Sequence, residues 1–463
     1  MINKIEAENE QHITIVDSIM GSGKTSWAIQ YMNSNPDKSF IFVTPFLEQI
    51  ERIKKNSNRV FYDPKNWERT KRDDFNVLIE DGRDIAVTHC TFSHANEETI
   101  RLLRESHYTL IIDEAVDVLV DFNIACGDSI NKDDIKMLFN ERFISAGTNG
   151  KVSWLKQLYP NIKYWKYWKV EHCARNGNLF YLNEAFLVWQ FPPEIFSLFD
   201  DIYIMTYLFS GSMMAPYFQI HGIGYQMATI EKDANGNYRL AEWKEDLAIR
   251  EHYKALISIY EDKPRKDDGL KDPKAHSPIG QSMNDYRNFA LSKTWYDRNG
   301  GRAIDRLKKN MDNYRRNVAK ADAKRIMWTC YETHYKQLKG KGYTQTRKLT
   351  PEESQYKGAK RKQAEDRIKC FVPCNARATN DFADRDVLMY MINLCPNEYM
   401  MRYFGGKRAP DGTELRVDRD TYSLANFLQW IWRSAIRDDK PIQIYIPSTR
   451  MRELLKDWLN GTR

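Results

Sequence analysis

The chain has 463 residues, 42% hydrophobic and 29% charged, with 12 Trp, 26 Tyr and 21 Phe; at roughly 150 residues per domain this describes two or three folded domains and excludes a single small module or a disordered chain. No apolar run reaches the ~18 residues of a membrane span, and the opening MINKIEAENEQH lacks the apolar core of a secretory signal, so a soluble, cytoplasmic protein with no membrane partner is expected. The net charge is only +7, yet residues 285–380 hold 24 basic and 10 acidic side chains, which leaves the rest of the chain net acidic and marks that segment as a candidate contact for a polyanion.

In chain order, the β-branched run HITIVDS at 12–18 meets a Gly-rich turn and then the helical pattern TSWAIQYMN, the order strand, loop, helix. Apolar runs at 39–45, 84–89, 108–114 and 201–207 follow, with helical stretches between most of them. Strands buried on both faces and alternating with helices imply a parallel α/β sheet. Between 126 and 200 the alternation lapses, and Trp154, Tyr159, Tyr164, Trp165, Tyr167 and Trp168 cluster. An insertion is expected there, its aromatics serving as local core rather than as stacking platforms for bases.

Residues 263–284, rich in Pro, Gly and charge, read as a linker or exposed loop, which divides the chain into domains at 1–262 and 285–463. The basic run IDRLKKNMDNYRRN at 304–317 reads equally well as a solvated helix face or as part of a polyanion footprint. A second α/β unit is expected beyond it, with strands at 324–331, 368–373 and 441–447 and helices at 384–393, 421–437 and 449–460. There is no internal repeat. The seven cysteines are odd in number and form no C-x-x-C pair, which points to reduced, mostly buried thiols and no zinc site.

Two short stretches carry chemistry. Ser18-Ile-Met-Gly-Ser-Gly-Lys-Thr25 fits G-x-x-x-x-G-K-[ST], except that Ser18 stands where the first Gly would be. In such a loop successive backbone N–H groups face the phosphates of a nucleotide, Lys24 adds positive charge and Thr25 binds Mg²⁺ at the helix start. Ser18, Gly21, Ser22, Gly23, Lys24, Thr25 and Ser26 are therefore the candidate nucleotide contacts. Leu110-Ile-Ile-Asp-Glu114 is an apolar strand ending in two carboxylates, which would offer Asp113 to the metal and Glu114 to an attacking water. Glu114 favours hydrolysis over phosphorylation of a small substrate.

With D-E-A-V at 113–116 joined to G-S-G-K-T, the chain resembles a superfamily 2 helicase of the DEAD/DEAH-box type. The resemblance implies two RecA-like P-loop NTPase domains with parallel sheets that sandwich ATP, an aromatic-rich insertion in the first and a basic segment leading into the second. Thr44-Pro-Phe-Leu47 is similar to motif Ia and Thr88-His-Cys-Thr-Phe92 to the motif Ib region, which implies that Thr44, Pro45, Thr88 and His89 hold the nucleic-acid backbone. Thr206 sits where motif III couples hydrolysis to strand binding, although its surroundings depart from the family pattern. Cys374–Asn380 occupies the place of motif V and implies contacts from Asn375, Arg377 and Thr379.

Gln429-Trp-Ile-Trp-Arg-Ser-Ala-Ile-Arg437 is similar to motif VI, with Trp432 in place of Gly and Arg437 one residue beyond the expected second Arg. The role of arginine finger is thus shared between Arg433 and Arg437, with Gln429 beside them. A helix over 421–437 would set both arginines on one face, one turn apart.

The whole set looks most like the DEAD/DEAH-type DNA helicases of tailed bacteriophages and prophages. That resemblance implies ATP and Mg²⁺ as cofactors, single-stranded or forked DNA and other replication proteins as partners, and an ATP hydrolase of phage replication or recombination in the host cytoplasm. It leaves the oligomeric state open. Two rival readings are a phage DNA-packaging motor ATPase, which would need clustered carboxylates for a metal-dependent nuclease, and a non-motor nucleic-acid-binding ATPase switch. Asp381, Asp384 and Asp386 are the one acidic cluster of the second half.

Overall fold

The computed structural model describes residues 12–66, 70–156, 166–182, 186–260, 290–299, 301–374 and 381–463. The chain divides into two compact units, Met1–Lys244 with Pro396–Asp418 and Glu245–Cys395 with Arg419–Arg463. Both are α/β units built on a parallel sheet, as the two-domain P-loop NTPase reading expects.

The first unit centres on a seven-stranded sheet in the order Tyr238–Glu242, Gln226–Lys232, Ile13–Asp17, Asp201–Thr206, Tyr108–Asp113, Ser39–Thr44, Ile85–Thr88. Six strands run parallel, and only the edge strand Tyr238–Glu242 is antiparallel to its neighbour. The strand Asp201–Thr206 lies between the P-loop strand and the Asp113 strand, the RecA-like arrangement, so that all three end side by side on one edge. Ile13, Ile15, Phe40, Ile41, Ile111 and Ile112 are at most 1% exposed. Burial on both faces is why these strands read as unbroken apolar runs.

Helix Lys24–Ser34 covers one face of the sheet through Trp27, Ala28 and Met32, which meet Val16, Phe42, Ile111 and Met205 in a single cluster. Trp27 stands edge-on to Tyr203 with ring centroids 5.2 Å apart. Burying side chains of this size is worth about 1.5–3 kcal/mol each, and here it clamps the helix start over the strand end.

The expected insertion is a separate layer. Leu119–Asp121, Phe186–Gln190 and Leu179–Leu182 form an antiparallel sheet, and Ile144–Ala146 pairs with Val152–Trp154. Of its aromatics, Trp154 packs against Phe143, Tyr167 donates to Asp134 at 2.8 Å and Trp168 is exposed; Tyr159, Tyr164 and Trp165 lie outside the described residues.

The expected division at 262 is corrected. Ile257–Ile259 pairs in parallel with Ile442–Tyr445 inside the second unit, so the first stretch ends near Lys244. The second half is also interrupted, because Pro396–Asp418 returns to the first unit, where Phe180 meets Tyr403 edge-on at 5.7 Å and the Tyr403 hydroxyl donates to Gln190. The expected linker at 263–284 lies outside the described residues.

The second unit holds a parallel sheet in the order Ile257–Ile259, Ile442–Tyr445, Val387–Tyr390, Ile326–Thr329. Two expectations fail here. The run at 384–393 contains the central strand Val387–Tyr390 in place of a helix, its residues all buried; a short continuous apolar run cannot tell a central strand from a buried helix by period alone. Residues 368–373 form only isolated bridges, Trp328 with Phe371 and Gln345 with Lys369. The basic stretch at 304–317 is mostly the amphipathic helix Arg302–Asn313, which buries Ile304, Leu307 and Met311 and exposes its cations.

Candidate nucleotide site

The strand Ile13–Asp17 delivers the chain to the loop 18–23, and the loop delivers it to helix Lys24–Ser34. Gly21 and Gly23 take positive φ values of 85° and 97°, which lets the chain reverse tightly enough for Gly23 to precede the first helical residue. A Cβ on Gly21 would meet nothing within 4 Å, whereas one on Gly23 would lie 2.1 Å from a ring carbon of Tyr238. Ser22 Oγ is buried and has no hydrogen-bond partner among the described residues. An unpartnered hydroxyl in an otherwise bonded loop fits a site built to receive a ligand oxygen.

Lys24 folds back into the loop, its Nζ donating to the carbonyls of Ser18 at 2.5 Å and Ile19 at 2.9 Å. Burial pulls it down to about 8, against the opposing pull of Asp113, Asp17 and Glu114. Asp113 moves the other way, pushed up to about 6 by burial, while Lys24, Arg52 and a hydrogen bond from Thr44 hold it lower. Both shifts describe charges short of compensation, the condition that phosphates and a divalent cation relieve. Thr25 and Ser26 occupy the first helical turn and are half-buried. Among the described residues no group of three or more His, Cys, Asp or Glu side chains could hold a metal, so Mg²⁺ would have to take Thr25, Asp113 and phosphate oxygens together.

Glu114 follows Asp113 with φ 66°, a left-handed backbone that non-glycine residues rarely adopt, and its N–H is bonded to Met205 O at 2.9 Å. That turn lifts Glu114 off the strand direction, where it and Asp113 would otherwise point to opposite faces. Strained backbone held by its surroundings is common at functional sites.

Ser18, Thr44, Thr206 and His89 also lie at this site. Ser18 is 6% exposed, and its hydroxyl pairs with Thr229 Oγ1 at 2.9 Å and accepts from Ile230 N at 2.9 Å, so its side chain ties the loop to the strand Gln226–Lys232 and does not face phosphate. Thr44 is fully buried and bonded to Asp113, and Thr206 is 7% exposed with its carbonyl accepting from Ser18 N at 3.0 Å. Both are buried among residues of the site and brace it, where the resemblance implied a nucleic-acid contact. His89 Nε2 lies 2.9 Å from Asp113 O, which puts its ring on the strand that carries the two carboxylates.

Thr88 caps the helix His89–Ser93 through its hydroxyl, and Pro45 is half-buried. Asn375, Arg377 and Thr379 lie outside the described residues.

In the second unit the expected helix over 421–437 is corrected. Helix Arg419–Ile431 stops because Arg433 N and Ser434 N turn back to Trp430 O and Ile431 O, and a short 3₁₀ turn Ala435–Asp438 follows, fastened by Ala435 N to Arg385 O at 2.8 Å. Arg433, 7% exposed, and Arg437, which is exposed, therefore do not share a helical face; Gln429 is half-buried in the last helical turn.

Sequence reasoning missed three residues. Asp17 accepts from Leu208 N at 2.8 Å and Phe209 N at 3.0 Å, fastening the P-loop strand to the loop after Thr206; a carboxylate directly before Ser18 was the available signal. Arg52 acts on Asp113 from helix Leu47–Asn56. Tyr238 covers Gly23 from a strand more than two hundred residues away, with no sequence signal.

The chain resembles known proteins along its length. Residues 1–115 match the family model of the type III restriction enzyme res subunit, 128–189 that of the YonV middle domain, and 251–459 that of the YonV C-terminal Rossmann-like domain. It is 36% identical over 467 residues to the SPbeta prophage-derived protein YonV of Bacillus subtilis (strain 168), spanning 98% of this chain and 100% of the relative. Among solved structures, an XPD helicase aligns over 96% of this chain and 95% of its own at 11% identity and TM-score 0.47, and S. tokodaii Xpd4 over 97% and 94% at 12% and 0.43. Those two likenesses are too slight to argue from.

Proposed function

The chain belongs to the YonV family, and from that premise we propose that it is an ATP-dependent DNA helicase or translocase that serves phage replication or recombination in the host cytoplasm. One observation carries the reading: the P-loop with its unpartnered Ser22 hydroxyl, the folded-back Lys24 and the Asp113–Glu114 pair all end on the same edge of one parallel sheet. A site for binding alone would not need a strained Glu114 beside a buried carboxylate.

In this reading the loop N–H groups and Ser22 cradle the phosphates of ATP, and Lys24 leaves its two carbonyl partners for the β and γ oxygens. Thr25 and Asp113 would hold Mg²⁺, which when bound neutralises phosphate charge. Glu114 takes the proton of the attacking water. Asp17 and the Thr206 carbonyl link the loop to the Leu208–Phe209 turn, a rigid path by which the state of the nucleotide can reach the surface. Of the two arginines, the finger is assigned to Arg437, which is exposed, whereas Arg433 is buried.

The packaging reading loses ground because its acidic cluster is spent on ion pairs. Asp381 is bonded to Arg367, Asp384 to Arg385 and Asp386 to Arg325. Carboxylates held that way are poor ligands for two metals.

The test is ATP turnover with and without single-stranded DNA, followed by displacement of 3′-tailed, 5′-tailed and forked duplexes. Lys24→Ala should abolish turnover, and Glu114→Gln should retain nucleotide yet turn over about 10²- to 10⁴-fold more slowly, the usual value of a positioned base. Parental turnover in Glu114→Gln sinks that residue's role. DNA-stimulated turnover without displacement of any substrate would favour the non-motor switch.

A further inference from the structure

The insertion carries a groove of about 760 Å³, within the roughly 300–1,000 Å³ usual for ligand sites. No described P-loop residue lines it; it lies between the hairpin turn 147–150, the end of helix Lys132–Asn140, the strand Leu179–Leu182 and the returning segment Pro396–Asp418. Among the described residues its lining contains three cations, Arg142, Arg402 and Lys407, and no carboxylate.

Those cations are not equivalent. Arg402 is already paired with Glu398 on its own helix. Arg142 and Lys407 make no ion pair among the described residues. Lys407 lies with its ammonium 3.5 Å from the centroid of Tyr403, and burial lowers it to about 8. A part-desolvated ammonium over an aromatic ring gains from an incoming anion.

Arg142 occupies the position just past the helix end, with φ 53°, Arg142 N bonded to Phe139 O and Phe143 N to Leu138 O. This is the left-handed closing turn in which Gly is the ordinary residue. An arginine there carries backbone strain that Gly would avoid, and it sets its guanidinium on the groove. The rings of Phe139 and Tyr181, with centroids 4.6 Å apart and planes tilted by 39°, are half-buried and line the same groove.

We propose that this groove binds a stretch of single-stranded nucleic acid, with Arg142 and Lys407 taking phosphates and the Phe139–Tyr181 pair carrying a base. Cations in one groove with two aromatic rings match a strand whose bases are unstacked, since a duplex offers no base face to lie on such rings. The inference rests on the nucleic-acid-dependent ATPase reading. It gives that reading a second contact, on the insertion and remote in sequence from every motif.

Binding of fluorescein-labelled oligo(dT) to the full chain, followed by anisotropy between 50 and 300 mM NaCl, tests it against Arg142→Gln/Lys407→Gln and against Arg142→Gly. The double variant should bind about tenfold more weakly, with the slope of log K against log salt shallower by about 1.4, near 0.7 for each lost phosphate contact, while ATP turnover without DNA stays at the parental rate. Arg142→Gly separates binding from folding: it should raise the melting temperature and still weaken the oligonucleotide. If the parent binds oligo(dT) and is stimulated by it while the double variant keeps parental affinity and slope, the groove is overturned and the ATPase reading stands. If dTMP competes as well as the oligonucleotide at equal phosphate concentration, the groove takes a mononucleotide and the strand proposal is overturned. If the parent neither binds nor responds to DNA, the reading and the inference fall together.

Discussion

Restoring the glycine that the P-loop pattern asks for at position 18 should damage this protein. Ser18→Gly removes the hydroxyl that pairs with Thr229 Oγ1 and accepts the Ile230 N–H, both at 2.9 Å, at a position 6% exposed. Leaving a buried amide without its acceptor costs about 1–3 kcal/mol, and the lost hydroxyl pair about 1 more. The freer unfolded chain of Gly adds roughly 0.5–1 kcal/mol. The expected loss is about 2.5–5 kcal/mol, with a fall in melting temperature of roughly 5–20 °C for a unit of this size. Thermal and urea unfolding followed by circular dichroism measure it, and Thr229→Val completes a double-mutant cycle with an expected coupling of about 0.5–1 kcal/mol. Stability within about 0.5 kcal/mol of the parent, or a higher melting temperature, would refute the claim that Ser18 anchors the loop to the strand Gln226–Lys232.

Three further predictions concern the same site and its partner arginines. Lys24, at about 8, is charged below that pH and neutral above it, so ADP affinity should hold at pH 6–7 and fall above about 8 by up to tenfold per unit, whereas Lys24→Arg should flatten the profile; a flat parental profile in titration calorimetry would contradict the assignment. Gly23→Ala sets a Cβ 2.1 Å from the Tyr238 ring at φ 97°, which should cost at least about 2 kcal/mol in unfolding experiments, with partial recovery in Gly23→Ala/Tyr238→Ala; no loss would mean the hairpin does not cover the loop. Arg437→Ala should cut turnover by up to about 10³–10⁵ with ATP affinity little changed, as for known arginine fingers, while Arg433→Ala should act first on stability because its side chain is buried; hydrolysis unchanged in Arg437→Ala removes it from the mechanism.

The α/β class and the position of the P-loop are legible in the sequence. Strands buried on both faces leave long apolar runs, and Ile13–Asp17, Ser39–Thr44, Ile85–Thr88, Tyr108–Asp113 and Asp201–Thr206 were all legible for that reason. A P-loop is a local device whose residues are contiguous, so Gly21 to Thr25 could be read directly. The hairpin Gln226–Glu242 was not legible, since it lies at the sheet edge with alternating, largely polar residues. Val387–Tyr390 was misread because period says nothing about a four-residue apolar run.

What the side chains around the loop do is set by packing between distant segments. That Thr44 braces Asp113 rather than nucleic acid, that Ser18 serves a remote strand, and that Tyr238 covers Gly23 depend on pairs of residues about 70 to more than 200 positions apart. The return of Pro396–Asp418 to the first unit was invisible for the same cause: its composition does not change where it leaves the second unit, and only its contacts with Phe180 and Gln190 reveal where it folds. Local pattern specifies elements because backbone hydrogen bonding and burial period are local. A site is specified by contacts at a distance, and those come into being only when the elements pack.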